Sequence, residues 1–184
     1  MLYLQFYKPE GLFSGTMNRL AAWVTGGPYA HCDFIFKLNE DQVDDVLAQH
    51  GLSDIRENRH KYMRKDGHLY LCVHVYWGDE VAYRVLIPDH VHPYWNVPEL
   101  DHAIDCTWDD EKKIFRFCMD QLYKPYDYVG AMTFYLPSAK KGSDMLFSRY
   151  FCSQLCTHAL QHVGRLLTVN PRRVTPNRLH RLLL

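Results

Sequence analysis

Residues 150–163 read YFCSQLCTHALQHV, and the rest of the chain is interpreted outward from this stretch. It predicts a helix over residues 152–163 that starts at Cys152, directly after two aromatic residues, and is closed by Gly164. A helix N-terminus offers unpaired N–H groups and the positive end of the helix dipole, and together these stabilise a thiolate. Cys152 is therefore a candidate nucleophile. The alternative is a buried thiol that packs as a small hydrophobic residue, which is how we interpret Cys156.

A second candidate lies far upstream, in the stretch YAHCDFIFK at residues 29–37. Cys32, Phe34 and Phe36 alternate with more varied residues, which predicts a strand with His31 at its opening. A histidine there can serve as general base to a thiol if a third polar group holds its ring. His74 can be that group if its strand lies beside the strand of His31 and both side chains face the same way. A histidine that is merely hydrogen-bonded within a sheet explains His74 equally well.

The remaining patterns predict a chain of mixed strands and helices. The other predicted elements are a strand at 1–7, a helix at 14–24, a helix capped by Asn39, a hairpin formed by 69–77 and 80–87, and a helix capped by Thr107. Residues 52–67, 88–98 and 140–144 are predicted as surface connections. There is no repeat, no low-complexity tract and no linker, so we expect one α+β domain over residues 1–184.

The composition narrows the classes of partner and compartment. Lys+Arg and Asp+Glu each count 21, so no net field would attract nucleic acid or an anionic membrane. No apolar run is long enough to span a bilayer, and the first residues read as a strand rather than a signal segment. Without a secretion signal, the six cysteines are expected to be free thiols in a reducing compartment. We expect a cytoplasmic protein, or one acting inside a host cell, with no membrane anchor and no nucleic-acid partner.

No metal or cofactor site is expected. Cys152, Cys156, His158 and His162 have ligand-like spacing, but the last two would point more than about 100° away from the first two on one helix. One tetrahedral ion cannot collect all four without breaking the helix. The Gly26-Gly27 pair lacks the spacing of a phosphate-binding loop, and there is no Gly-x-Ser-x-Gly elbow.

Four segments together resemble a known superfamily. Residues 29–36 resemble its "S-H-V-x-I" strand, and residues 151–156 resemble its "F-C-S-E-x-x" helix start. Residues 126–130 match its "Y-D-W-x-G" step, and residues 170–176 match its "N-P-x-x-x-T-P" tail. The histidine strand comes first and the cysteine helix last, the reverse of papain. The chain thus resembles the circularly permuted branch of the NlpC-type, papain-like cysteine hydrolases, and most of all its uncharacterised bacterial, phage and large-virus members; lecithin retinol acyltransferase and a poxvirus virulence factor are more distant cousins.

This resemblance implies a fold and a set of roles. It implies a small antiparallel sheet packed against the helix that carries the nucleophile, with the cleft between them. Carried over residue by residue, it makes Cys152 the nucleophile and His31 the base. The third polar position falls on the strand before the hairpin, which points to His74.

The chain also departs from the family pattern. The usual Glu after Cys-Ser is Gln154, and Cys32 stands beside the base where the family has an aliphatic residue. The insertion at 38–67 lengthens the spacing from His31 to the third position. Tyr29 and Tyr126 are candidates for lining a substrate pocket, with ordinary core packing as the alternative for both.

Three functions fit these features. The first is a thiol hydrolase that cleaves an amide bond, peptide or isopeptide, through an acyl-enzyme. The second uses the same dyad on an acyl ester or lipid, as a thioesterase or acyltransferase. The third is a catalytically silent binding or virulence module on the same fold, which the presence of both Cys152 and His31 disfavours. The sequence does not define the substrate or the oligomeric state.

Overall fold

A five-stranded antiparallel sheet forms the centre of the described structure. The structure is a computed structural model, and it describes residues 1–9, 19, 22–86, 102–133 and 148–184. The strands are Leu2–Tyr7 (β1), His31–Leu38 (β2), Leu69–Val75 (β3), Val81–Val85 (β4) and His102–Ile104 (β5). Their order in the sheet is β4-β3-β2-β1-β5, so β2 lies at the centre.

Helices cover one face of this sheet. They are Glu40–Gln49 (α1), Ser53–Glu57 (α2), Arg59–Tyr62 (α3), Trp108–Met119 (α4), Tyr128–Thr133 (α5), Cys152–Gln161 (α6) and Pro176–Leu183 (α7), with a 3₁₀ turn at Pro171–Arg173. α6 packs against β2, and both contribute to the main hydrophobic core. The predicted α+β class with a small antiparallel sheet is confirmed, whereas the circular permutation and the single domain stay predictions. No helix in the described part of the chain is long and apolar enough to cross a membrane.

The two faces of β2 differ in what they bury. Cys32, Phe34 and Phe36 belong to the main core under the helices. Ile35 belongs to a smaller cluster with Tyr70 and Cys72, on the opposite face. Because side chains alternate along a strand, His31 and Asp33 share the face of Ile35. Polar groups are therefore concentrated at one end of that second face.

Several predicted boundaries agree closely with the structure. β2 opens at His31, and α6 begins at Cys152 and ends two residues before the predicted end. Asn39 caps α1, and its side chain accepts the N–H of Gln42. Thr107 caps α4, where its side chain accepts the N–H of Asp110.

Two parts of the fold differ from the sequence-based expectation. Residues 52–67 were predicted as a surface connection, but they contain α2 and α3, and Ile55 of α2 is buried. One buried residue in α2 and none in α3 are too weak a pattern to predict a helix. β5 was not predicted, because a three-residue strand has almost no periodicity. Most of the predicted helix 14–24 and all of the connections 88–98 and 140–144 lie outside the described residues.

Candidate active site

Cys152 occupies the first position of α6, at the end of the helix that faces the opening of β2. The first bond inside the helix runs from the N–H of Leu155 to the carbonyl of Phe151. The N–H of Phe151 is satisfied from the side, by the Oε1 of the buried Gln154 at 3.3 Å. Because the first N–H groups of a helix have no partner within it, those of the first turn remain directed at the sulfur end of α6.

The C-terminal tail contacts both the start of α6 and the segment that leads into β2. The Ser153 hydroxyl donates to the carbonyl of Val174 at 2.6 Å, which anchors the first turn of α6. Asn177 bonds both backbone groups of Tyr29, accepting its N–H at 2.9 Å and donating to its carbonyl at 2.9 Å. The same amide donates to the Thr25 hydroxyl. The tail therefore ties the start of α6 to the segment that leads into His31.

A second connection runs through Tyr126. Its N–H donates to the carbonyl of Asp79 in the β3–β4 turn at 2.9 Å. The next residue, Asp127, donates its N–H to the carbonyl of Tyr150 at 2.8 Å, two residues before Cys152. The segment 125–127 thus bridges the hairpin and the residues that lead into α6, and it places Tyr126 near enough to Cys152 for the charge of its sulfur to act on the phenol.

His31 contacts both the thiol and a buried carboxylate. Its Nε2 donates to Asp33 Oδ1 at 2.6 Å, and its side chain also forms a hydrogen bond with Cys152. Since Nε2 is taken by Asp33, Nδ1 is the nitrogen left for the sulfur. The rings of Tyr7 and Tyr76 pack against the imidazole in tilted contacts, with centroids 5.5 Å and 4.7 Å away. The orientation of the His31 ring is therefore held by two aromatic contacts and by the hydrogen bond of Nε2.

Asp33 is almost completely buried and is held by its own donors. Tyr76 donates its hydroxyl to Oδ2 at 3.1 Å, and Arg84 donates to that same hydroxyl at 2.8 Å. Burial by itself would raise the pKa of Asp33, but the charge and hydrogen bond of His31, with smaller contributions from His74 and Arg84, lower it. Asp33 is therefore ionised near neutral pH, as a group that fixes a protonated imidazole must be.

The thiol and the imidazole stabilise each other as an ion pair. The hydrogen bond from the Cys32 side chain lowers the pKa of Cys152, burial opposes it, and the charge and hydrogen bond of His31 lower it further, to well below its usual range. Burial lowers the pKa of His31, but Asp33 and Cys152 outweigh it and raise that pKa to about 10. Both shifts favour the form of the pair in which Cys152 is a thiolate and His31 an imidazolium.

Cys32 also faces the thiol, although it is next to His31 in sequence. Both its backbone N–H and its side chain form hydrogen bonds with Cys152, and burial is the largest cause of its own raised pKa. Cys156, one turn along α6, donates weakly to the Cys32 carbonyl at 4.0 Å. Cys32 is thus a protonated donor to the sulfur of Cys152.

The third group of the site is Asp33, where the sequence analysis predicted His74. His31 and His74 lie on the neighbouring strands β2 and β3, as expected. The edge of the His31 ring that carries Nε2, however, faces Asp33. His74 stacks on Tyr76 with centroids 4.3 Å apart, and its Nδ1 is buried with no hydrogen-bond partner among the described residues. Burial lowers the pKa of His74 to about 4, so it is neutral at neutral pH. A neutral imidazole orients an imidazolium less well than a carboxylate does, which favours Asp33 for the third position, while the role of His74 stays a prediction.

The spacing His31-x-Asp33 carried the signal that sequence reasoning missed. Residues two apart on a strand share one face, so an acidic residue at 33 was placed beside His31 by the strand prediction itself. No comparable signal existed for Cys32, because its contact with Cys152 spans the chain from β2 to α6.

The two predicted lining residues lie in different surroundings. Tyr126 is buried beside Cys152, whose negative charge contributes to the raised pKa of its phenol after burial. Its ring contacts Trp77 and Tyr128 at centroid distances of 5.4 Å and 5.1 Å, and Trp77 is 53% exposed. Tyr29 is half-buried, and its hydroxyl bonds His180 Nε2 at 3.2 Å. Tyr126 therefore connects the thiol to exposed aromatic surface, while Tyr29 contacts the tail.

Two other features lie apart from the thiol. A surface cavity of about 480 Å³ is lined by Asp44, Arg56 and Arg59 together with other residues of α1 to α3, and it includes none of the residues around Cys152. Within the described ranges, no group of three or more His, Cys, Asp or Glu side chains is arranged to hold a metal ion.

Comparison of the chain with family models, with curated proteins and with solved structures gave no significant match.

Proposed function

We propose that this chain is a cysteine-dependent hydrolase that cleaves an amide bond, in a peptide or an isopeptide. Cys152 is the nucleophile, His31 the acid and base, and Asp33 the group that orients His31. The observation that carries the proposal is the position of His31, which contacts the Cys152 sulfur while its Nε2 donates to buried Asp33 at 2.6 Å. A nucleophile, a base and a group that orients the base, each within hydrogen-bond reach of the next, form the minimal machinery of acyl transfer.

The reaction starts from the ion pair. The Cys152 thiolate attacks the carbonyl carbon, and the N–H groups at the start of α6 stabilise the oxyanion, an interaction worth about 3 kcal/mol in known hydrolases. The His31 imidazolium gives its proton to the leaving nitrogen, the C–N bond breaks, and the amine departs from a thioester. His31, now neutral, takes a proton from water, and the hydroxide attacks the thioester carbonyl. The C–S bond breaks, and the thiolate–imidazolium pair returns.

The high pKa of His31 suits this sequence of steps. Both Asp33 and the Cys152 thiolate raise that pKa to about 10 in the resting site. When the sulfur attacks, it loses its negative charge as the C–S bond forms. The contribution of that charge to the raised pKa of His31 then disappears, and His31 gives up its proton more readily. An amine leaving group needs that proton far more than an alkoxide does, which supports an amide over an ester as substrate.

A second candidate function is hydrolysis or transfer of an apolar acyl ester with the same residues. One observation favours it: Trp77 and Tyr128 are exposed aromatic side chains that contact Tyr126, and Tyr126 lies beside the sulfur. An apolar acyl chain bound to the sulfur would bury part of that surface. At about 25 cal/mol per Å², even 100 Å² of such burial contributes roughly 2.5 kcal/mol to binding.

The test begins with the reactivity of the thiol. Brief treatment with iodoacetamide near neutral pH, followed by peptide mapping, should label Cys152 before the other five cysteines, although Cys152 is only 5% exposed. Cys156 serves as the internal reference, since it lies on the same helix and is also buried, at 1% exposure. Equal labelling of the two would contradict the proposal and support a silent binding module instead.

Activity probes then choose between the two substrates. Amide-based and ester-based acylating probes are matched in their acyl group, and the adduct is measured by intact mass with Cys152→Ala as control. An adduct at Cys152 from the amide probe supports the amidase. An adduct from the ester probe alone, lost on Trp77→Ala, supports the acyl-ester function.

A further inference from the structure

Three sulfur atoms cluster where β2 meets the first two turns of α6. Cys32, Cys152 and Cys156 are all buried, with exposures of 1%, 5% and 1%. The side chain of Cys32 forms hydrogen bonds with those of Cys152 and Cys156, and the thiol of Cys156 also lies 4.0 Å from the Cys32 carbonyl. The proposed hydrolysis needs only one of these three sulfurs, and it gives no role to the other two.

Geometry separates the two neighbours of Cys152. A disulfide requires Cβ atoms about 3.5–4.5 Å apart. Cys156 lies four residues on in the same helix, where Cβ atoms are about 5–6 Å apart and lean in the same direction. Cys32 lies on another element and its side chain already faces the Cys152 sulfur. Cys32 is therefore the cysteine positioned to pair with Cys152 while α6 keeps its bonds, whereas Cys156 cannot pair with Cys152 in this way.

We propose that Cys152 is a site of reversible oxidation and that Cys32 is its resolving cysteine. The Cys152 thiolate attacks the terminal oxygen of a hydroperoxide, the O–O bond breaks, and the His31 imidazolium supplies the proton with which the peroxide remainder leaves as water or an alcohol, so that Cys152 becomes a sulfenic acid. The Cys32 sulfur then attacks the sulfenic sulfur, the S–O bond breaks, and the Cys32 proton leaves with the hydroxyl as water. The product is a Cys32–Cys152 disulfide, and an added thiol reductant returns both thiols.

The protonation states of the two sulfurs suit these steps. The thiolate form of Cys152 is the form that peroxides oxidise. Burial, with the hydrogen bond and charge of Cys152, keeps Cys32 protonated in the resting site. When Cys152 becomes a sulfenic acid its negative charge is lost, so the Cys32 proton leaves more readily and passes to the departing hydroxyl while the sulfur attacks. Without a resolving thiol, a sulfenic acid proceeds to the sulfinic acid, which ordinary reductants do not reverse. This inference rests on the thiolate of Cys152 but not on any particular substrate.

The experiment treats the intact chain with dilute hydrogen peroxide and reads the product by intact mass and non-reducing peptide mapping. The unaltered chain should lose two hydrogen atoms, link the Cys32 and Cys152 peptides, and return to its original mass with reductant. Cys32→Ser should instead gain two oxygen atoms at Cys152 and stay modified after reduction. Cys156→Ser is the matched control, and it should behave like the unaltered chain.

Three results would overturn the inference. They are a Cys152–Cys156 link in the unaltered chain, no oxidation at Cys152, and reversible oxidation of Cys32→Ser identical to that of the unaltered chain. Because the peptide link is read on the unaltered chain, poor folding of a variant does not decide the outcome. Iodoacetamide labelling before peroxide treatment separates this inference from the proposed hydrolase. If Cys152 labels selectively but never pairs with Cys32, only the redox inference is contradicted. If selective labelling is lost, both the redox inference and the proposed hydrolase are contradicted.

Discussion

The first and second turns of α6 each carry a buried cysteine, and the two have opposite chemistry. Cys152 and Cys156 share one face of the same helix, and both belong to the main core. The pKa of Cys152 is far below its usual range, while burial raises the pKa of Cys156. Burial alone therefore does not decide whether a cysteine in this helix is reactive.

The difference comes from the donors that each sulfur meets. Cys152 lies at the helix start, where it contacts Cys32 and the charged ring of His31. Cys156 also contacts Cys32, through its side chain and, at 4.0 Å, its carbonyl, but burial outweighs that contact and the negative charge on Cys152 adds to the effect of burial. One helical turn, about 5.4 Å, separates a thiolate site from an inert thiol.

Replacing His31 should have the largest effect on this difference. At pH 6 an ordinary thiol with a pKa of about 8.5 is roughly 0.3% ionised, whereas the Cys152–His31 pair remains ionised until the pH falls through the lowered pKa of Cys152. His31→Ala removes the charged donor, and we expect the rate of iodoacetamide labelling at Cys152 to fall by about tenfold to 100-fold at pH 6. Labelling of Cys156 should not change. His60→Ala, at an exposed histidine, is the matched control, and a Cys152 rate equal to that of this control would refute the ion pair.

Replacing Asp33 should have a smaller effect and move a different part of the pH profile. Asp33→Asn keeps the shape of the side chain but removes the charge that raises the pKa of His31. The pKa of His31 should fall from about 10 towards about 6.5, so the imidazolium is lost at a lower pH. The rate of Cys152 labelling should therefore change more near pH 8 than at acidic pH. We expect roughly tenfold slower labelling of Cys152 at pH 8, since one pKa unit is a tenfold change in ionisation. Titration of the His31 ring by NMR measures the shift directly, and an unchanged pKa would remove Asp33 from the site.

Replacing His74 should have the smallest effect. His74 is neutral near pH 7 and stacks on Tyr76, so His74→Ala leaves the charges on Asp33 and His31 in place. Labelling of Cys152 should change by no more than about twofold, because a neutral neighbour contributes little to a pKa. A loss as large as that of Asp33→Asn would instead restore His74 as the group that orients His31. The labelling rates of the two variants, measured side by side, decide between these roles.

The local parts of the candidate site were predictable from sequence. The start of α6 at Cys152 and the opening of β2 at His31 follow from apolar periodicity, which acts over a few residues and is visible in any stretch that forms such an element. Asp33 was within reach of the same reasoning, because its spacing from His31 places both on one strand face. The helices in 53–62 and the strand β5 were not, since each buries too few residues to leave a periodic pattern.

By itself, the sequence determined that a cysteine begins a late helix and that a histidine opens an early strand. Only the tertiary structure decided which groups meet at that cysteine. The tail residue Asn177 holds the segment before His31, and the contact between Cys32 and Cys152 joins positions that are far apart in the chain. Such contacts depend on which elements pack against each other. Apolar periodicity shows which face of an element is buried, but it does not show which other element covers that face. Cys152, with its lowered pKa, and Cys156, with its raised pKa, therefore lie one turn apart on the same helix but have different neighbours.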